Sequence, residues 1–297
     1  MTHTIPLFTS IPPTLNRKNS NGNEIGAAYQ SICLDSWITS GFAPVSVNAA
    51  AEAGELGEDP RFEKRRLHRS AADVYGKPIV FLEDFLLAAA ENPTQIVAIT
   101  NADILLDFSA DQQAALRNLG RNDCVVMKRR DIERPDQRHG AHYPYGYDFF
   151  AMPARALVDI SCGLLAIGVP WWDHFLSLFL MHRGMHSVDI GDGVFHLSHN
   201  ERWDEEAWIN VGAVFDQILQ VSLDAYNVEK NQRLAEYLRE VCDALNGFGV
   251  PWFTRLERRF INGIIKRPPS RDPFFLRRVS HLNNARIDSW RGVDPRS

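Results

Sequence analysis

The most constraining stretch of this sequence is Ile96-Val-Ala-Ile-Thr100, followed by Asn101-Ala-Asp103 and then Ile104-Leu-Leu106. A continuous apolar, β-branched run of this length predicts a strand buried on both faces. Such strands end at the carboxyl edge of an α/β sheet, where ligands bind. The edge here carries a carboxylate, Asp103, beside small Ala102 and two residues from the amide of Asn101. Hard divalent cations take oxygen ligands, so the arrangement suits a cation held against a diphosphate. It equally suits a strand-to-loop turn in which Asn101 and Asp103 bond their own backbone.

Around this run, strand and helix patterns alternate. Ile5 to Ser10 reads as a first strand leading into a polar loop, Pro12 to Asn23, that carries Arg17 and Lys18. A basic loop after a first strand can hold a nucleotide, with Thr9 and Arg17 as candidates; a solvated loop is the alternative. Glu24 to Ser40 predicts a helix with Ala28, Ile32 and Trp37 or Ile38 near one face, stopped by Gly41. Ala43 to Val47 predicts a second strand, and Asn48 to Asp73 a long polar connection with short helical pieces. Pro78 to Phe81 predicts a short strand. Phe81 to Glu91 predicts a helix whose apolar face is Phe81, Phe85, Leu86 and Ala89. A helix over Asp111–Leu119 and a strand over Cys124–Met127 follow. The next segment, Lys128 to Arg134, is so charged that it reads as solvated, though a cation there could face a phosphate. This alternation predicts an α/β sandwich with a mostly parallel sheet.

With 297 residues the chain can bury a large core. Its net charge of −5 argues against general nucleic-acid binding. The charge is uneven: from Pro251 onward it sums to +7, which leaves −12 on the remainder. That basic tail also holds Trp252, Phe253, Phe260, Phe274, Phe275 and Trp290. Such a segment suits peripheral contact with an anionic membrane surface or a return onto the acidic body. The four cysteines, at 33, 124, 162 and 242, form no CxxC pair, so neither a zinc knuckle nor a disulfide framework is expected. The N-terminus lacks a signal-peptide pattern, and Pro170, Asp173 and His174 interrupt the most hydrophobic stretch. A cytoplasmic location is the expectation, with the tail able to reach the inner face of the membrane. GxGxxG and GxxxxGKS/T are both absent.

The second half holds further candidates. Asp148 lies in the aromatic run Tyr143-Pro-Tyr-Gly-Tyr-Asp-Phe-Phe150, where a carboxylate must be paired or edge-exposed. Asp173 follows Trp171-Trp172 and opens a helix read from His174 to His182, where a structural role as N-cap or first-turn acid would also account for it. Ser187–Ile190 and Gly193–Leu197 predict two short strands around a Gly-Asp-Gly turn. His196 and His199, three apart, can converge on one site. A helix from Asp204 to about Leu223 and an amphipathic helix from Val228 to Leu245 complete the pattern.

Taken in order, Ile99-Thr-Asn-Ala-Asp103, Gly146-Tyr-Asp-Phe-Phe150, Pro170-Trp-Trp-Asp-His174 and His196-Leu-Ser-His-Asn200 resemble nucleotide-sugar glycosyltransferases of the GT-A fold. The similarity covers roughly Ile5 to Asp204. It implies a GT-A-like, Rossmann-like α/β/α sandwich over residues 1–225, with a helical, basic C-terminal extension over 226–297. Asn101-Ala-Asp103 resembles the family's DxD motif with an amide in place of the first acid. The resemblance then makes Asp103 a ligand of Mn²⁺ or Mg²⁺, with His199 or His196 completing the metal site, and puts Asn101 on ribose or sugar hydroxyls. It makes Asp173 the acceptor base, with Asp148 as second choice or as a hydroxyl-binding group. Tyr145, Trp171 and Trp172 would form a stacking floor for the sugar. The implied donor is a nucleotide diphosphate sugar and the acceptor a glycan or a lipid-linked glycan, as in surface polysaccharide synthesis. Two other readings stay open. One is a metal-dependent hydrolase or nucleotidyltransferase using Asp103 with His182, His186, His196 and His199. The other is a non-catalytic sugar-nucleotide-binding module.

Overall fold

The computed structural model describes residues 4–18, 22–144, 146–198, 208–215, 218 and 273–292. The chain separates into two compact units, Met1–Arg202 with Ile287–Ser297, and Trp203–Arg286. In the second unit residues 208–215 are helical. The expected boundary at 225/226, the amphipathic helix over 228–245 and the tail before 273 lie outside the described residues.

The first unit is a mixed α/β fold around a seven-stranded, mostly parallel sheet. Its strands are β1 (Ile5–Thr9), β2 (Phe42–Ala49), β3 (Glu63–Leu67), β4 (Ile96–Thr100), β6 (Asp123–Met127), β9 (Phe149–Pro153) and β10 (His186–Ser187). They lie in the order β10-β6-β9-β4-β1-β2-β3. Only β9 runs against its neighbours, pairing antiparallel with both β4 and β6. A second, four-stranded sheet has the order β5-β11-β7-β8, from β5 (Ile104–Leu106), β7 (Arg130–Ile132), β8 (Ala141–His142) and β11 (Val194–Leu197).

β4 is central because its sequence tolerates no solvent. Val97, Ala98 and Ile99 are fully buried, with β1 on one side and β9 on the other. Alternate strand residues face opposite sides of a sheet. Leu7, Ala98, Val125, Phe149 and Ala151 accordingly share one cluster with the second sheet and with helix α1 (Gly26–Thr39). Phe150 turns the other way, its ring 5.5 Å from that of Trp172. Trp172 opens a later helix, α6 (Trp172–His182). Between α1 and α6 lie α2 (Ala50–Glu55), α3 (Ala72–Tyr75), α4 (Leu82–Ala89) and α5 (Ala110–Arg117). Serine 109 caps α5 in a full capping box with Gln112. The chain's last described helix is α7 (Pro273–Arg291).

Several expectations need correction. The buried stripe of α1 is Tyr29, Cys33 and Trp37, four residues apart, whereas Ala28 is exposed and Ile32 and Ile38 are 38% and 42% exposed. Tyr29 and Trp37 win the inner face because each also has a polar tip that bonds the main chain below it. Trp37 Nε1 donates to Ile104 O at 2.6 Å, and Tyr29 Oη to Asp103 O at 3.0 Å. The polar connection after residue 48 contains β3, an edge strand whose Glu-Lys-Arg-Arg-Leu sequence hides it from a hydrophobicity pattern. Pro78–Phe81 forms no strand, only a bridge from Phe81 to Ala166. The charged run after 127 is not simply solvated, since Arg130–Ile132 is a strand. The two strands around Gly191-Asp-Gly193 are not a hairpin: β10 joins the main sheet and β11 the second.

Candidate functional site

The carboxyl ends of β1, β4 and β6 share one edge of the main sheet. β9 runs the opposite way, so its amino end lies on that same edge. Chain order reverses beside β1, with β2 on one flank and β4 on the other, which is where open α/β sheets bind ligands. The register then fixes the neighbours. Thr100 and Met127 both pair with Phe149, so the residues leaving β4 and β6 meet Asp148 just before β9. In the second sheet His196 pairs with Ile104 on one side and Asp131 on the other, which sets its imidazole beside Asp103.

A continuous polar chain results. Arg17 Nη2 donates to Asp103 Oδ2 at 2.6 Å. The same oxygen lies 3.2 Å from His196 Nε2, and His196 Nδ1 lies 3.3 Å from Asp131 Oδ1. Arg129 Nε donates to that Asp131 oxygen at 2.9 Å, and its Nη1 reaches Asp148 Oδ1 and Oδ2 at 3.1 and 3.2 Å. Asn101 Nδ2 donates to Asp148 Oδ1 at 2.9 Å. The carboxylate in the aromatic run is thus paired, as its burial requires.

The loop that delivers Arg17 is pinned to the start of α1. Glu24 Oε1 accepts from the Arg17 and Gly26 amides, both at 2.8 Å, and Ile25 N donates to Arg17 O at 2.7 Å. Gly26 permits this contact, because a Cβ there would stand 1.5 Å from Leu15 O. Tyr29 ties two elements of the site together: its hydroxyl donates to Asp103 O and accepts from Leu197 N at 3.0 Å. Arg17 is 3% exposed, and neither its Nε nor its Nη1 has a hydrogen-bond partner. Thr9 Oγ1, at the end of β1, is buried without a partner as well.

The charges interact strongly. Burial pushes the Asp103 carboxyl up, but His196 and Arg17 outweigh it and hold it well below the ordinary range. Burial lowers His196, and Asp103 and Asp131 more than reverse that, leaving it above its usual value. Burial raises Asp148, only partly offset by Arg129 and His196, and Asp148 feels the charges of both Asp173 and Asp103.

Asp173 sits in the first turn of α6 and does not cap it. The cap position is Trp171, which has a left-handed backbone (φ 77°) and no side-chain cap bond. A large aromatic residue in that conformation is strained. The Asp173 carboxylate instead accepts the Tyr147 amide at 2.9 Å. Gly146 leaves room for it, since a Cβ there would lie 2.9 Å from Asp173 Oδ2.

Of the residues expected at the site, the fold brings together Arg17, Asn101, Asp103, Asp148 and His196, and links Asp173 to Asp148 through Tyr147. Thr9 lies on the same edge. His199 and Tyr145 are outside the described residues. Trp171 and Trp172, each 3% exposed, are core side chains in this structure. Among the three cations after β6, only Arg129 enters the cluster; Lys128 turns to Asp288 and Arg130 to Asp192. His186 stands beside Asp123 at the start of β6, on the far edge of the sheet. Sequence reading missed Asp131 and Tyr29. Three residues reading polar, polar, apolar gave no periodic signal for this strand, and Asp131 is set beside His196 only by the pairing of β7 with β11. Among the described residues no group of three or more His, Cys, Asp or Glu is gathered as a metal cluster, and no helix is long and apolar enough to cross a membrane.

The fold and site define an α/β chain with a partly buried arginine–carboxylate–imidazole network at the carboxyl edge of its sheet. No protein-family model matches the chain, and no curated protein matches it. Solved structures similar to it include the inositol-1-phosphate CTP transferase from T. maritima, with 9% identity over 70% of this chain and 94% of that one, TM-score 0.38. HddC from Yersinia pseudotuberculosis is another, with 10% identity over 66% and 90%, TM-score 0.33. HddC complexed with GMP-PN matches at 9% identity over 70% and 97%, TM-score 0.29. At these identities and scores none of them assigns a function to this chain.

Proposed function

We propose that the chain is a glycosyltransferase of GT-A type that moves a sugar from a nucleotide diphosphate donor to a hydroxyl of a glycan or lipid-linked acceptor. The observation that carries the reading is Arg17. A guanidinium that is 3% exposed, bonded to Asp103 just beyond the end of β4 and with two nitrogens lacking hydrogen-bond partners, suits an anion. Arg17 Nε, Arg17 Nη1 and Thr9 Oγ1 are all closed to solvent, so a diphosphate would take these donors by displacing the cover over them.

A divalent cation, Mn²⁺ or Mg²⁺, is part of the reading, and the donor set fits one. Asp103 and His196 present an oxygen and a nitrogen 3.2 Å apart. Asp131 holds the second imidazole nitrogen, the arrangement that orients metal-binding histidines. Two protein donors suffice, because such ions keep water and substrate phosphate oxygens as further ligands. His199 is the third donor the reading names. When bound, the cation would neutralise charge growing on the departing diphosphate.

The chain's own groups do the remainder. As the acceptor oxygen bonds to the anomeric carbon, the bond from that carbon to the phosphate oxygen breaks and its electron pair stays on the diphosphate. Asp173 takes the acceptor proton on Oδ1, while the Tyr147 amide fixes Oδ2. Asp148, bound to Arg129 and Asn101, aligns Asn101 toward the donor.

The test is calorimetric titration with nucleoside diphosphates, with and without Mn²⁺, followed by product analysis. Binding that needs Arg17, with sugar transfer and release of nucleoside diphosphate, is the expected result. Release of pyrophosphate from a nucleoside triphosphate and a sugar phosphate would replace this reading with nucleotidyl transfer. Binding with no product would leave only a binding module.

A further inference from the structure

The last turn of α7 returns to the site loop. Asp288 Oδ1 accepts from Tyr147 Oη at 3.2 Å, and Asp288 Oδ2 is bonded by Lys128 Nζ at 2.6 Å. Lys128 also reaches Pro144 O at 3.3 Å, so one ammonium ties the helix to the loop before Asp148. Two neighbours anchor the turn to the main sheet. Trp290 Nε1 donates to Met185 O at 3.0 Å, and Arg291 Nε donates to Val126 O in β6 at 2.6 Å. The Tyr147 ring is completely buried, with the Lys128 ammonium 5.4 Å and the Arg291 guanidinium 5.7 Å from its centre. The backbone amide of that same tyrosine holds Asp173.

We propose that Asp288 is a positioning residue: by gripping the Tyr147 hydroxyl it fixes the Tyr147 backbone, and through that amide it sets the Asp173 carboxylate. Asp288 thus joins a site whose other residues come from positions 9 to 199. The physical case is geometric. Tyr147 lies between β8 and β9, where Tyr143 N bonds Arg129 O and Asp148 N bonds Met127 O, and its own amide goes to Asp173. Fixing the two ends of its side chain and backbone leaves the Asp173 oxygen one place to be. The functional half of this inference rests on Asp173 acting as the acceptor base; the positioning half does not.

The test uses the full chain and two variants, Asp288→Ala and Tyr147→Phe. Amide hydrogen exchange at Tyr147 is expected to quicken about tenfold in each. Turnover should fall by about the same factor with KM for the donor unchanged, since the donor groups lie on other elements. The effects of the two variants should be less than additive, because both remove the Tyr147–Asp288 bond while Asp288→Ala also releases Lys128. Asp288→Asn, which keeps an acceptor for the tyrosine hydroxyl, should restore most of the protection. Unchanged exchange in both single variants, or fully additive effects, would overturn the proposal. If the wild-type chain transfers no sugar, the glycosyltransferase reading fails, while the exchange measurement still decides the positioning.

Discussion

The guanidinium of Arg17 lies 2.6 Å from the carboxylate of Asp103, 86 residues further along the chain. The pair is almost dry on the arginine side, where the side chain is 2% exposed, against 25% for the aspartate. Arg17→Met keeps the aliphatic stem and deletes the charge. Loss of hydrogen bonds from a charged donor costs about 1.5–3 kcal/mol. Titration should therefore show nucleoside diphosphate affinity falling by about ten- to a hundred-fold, with the far-ultraviolet spectrum unchanged. Equal affinity in the variant would remove Arg17 from the donor site.

Asp148 gives a dependence on pH. Its carboxyl is raised above the ordinary 3.8 by burial. The folded chain then keeps this proton where the unfolded chain has lost it. The stabilisation from that proton is complete below 3.8 and disappears as pH climbs through the raised value. Denaturant titrations of the wild type and Asp148→Asn at a series of pH values isolate it. The stability of the wild type relative to the variant should drop as pH rises from about 4 and then level off. A difference that stays flat across the series would mean that Asp148 titrates normally.

Gly146→Ala probes the approach of Asp173. The added methyl would meet Asp173 Oδ2 at 2.9 Å and Tyr143 Cε1 at 3.2 Å, so the carboxylate must move. Displacements near 1 Å at a reacting group cost up to about a hundred-fold in rate. The expected outcome is a turnover loss of about ten- to a hundred-fold with nucleotide binding retained. Normal turnover in a folded variant would argue that the position of Asp173 is immaterial.

Cys33, Cys124 and Cys162 are buried and free, and burial pushes each thiol far above its ordinary value. Thiolate is the reactive form. Alkylation at pH 8, mapped by mass spectrometry, should leave these three unmodified in the native protein and label them in denaturant. Rapid native labelling at any of them would show that its surroundings open readily.

The way α1 packs shows where sequence patterning fails. A hydrophobicity scale prefers Ile32 and Ile38, yet both are partly exposed, because Tyr29 and Trp37 each bury a ring and also bond the strand backbone beneath. The same blindness hid β3, whose charged residues suit an exposed edge. It also hid Asp131, whose inward direction depends on β7 pairing with β11. In contrast, the short β-branched run over Val97 to Ile99 favoured a strand buried on both faces, and β4 buries all three completely.

From its residues alone the chain pointed to a buried strand ending in Asn101-Ala-Asp103, a mostly parallel sheet around it, and an Asp148 that had to be either paired or edge-exposed. Burial, helix periodicity and the cost of an unpaired charge act over a few residues and can be read along the chain. Which cation meets which carboxylate is a matter of register between strands that are far apart in sequence. Only folding could set Arg17 on Asp103, His196 between Asp103 and Asp131, and Asp288 under Tyr147, because each contact depends on where two distant segments lie side by side.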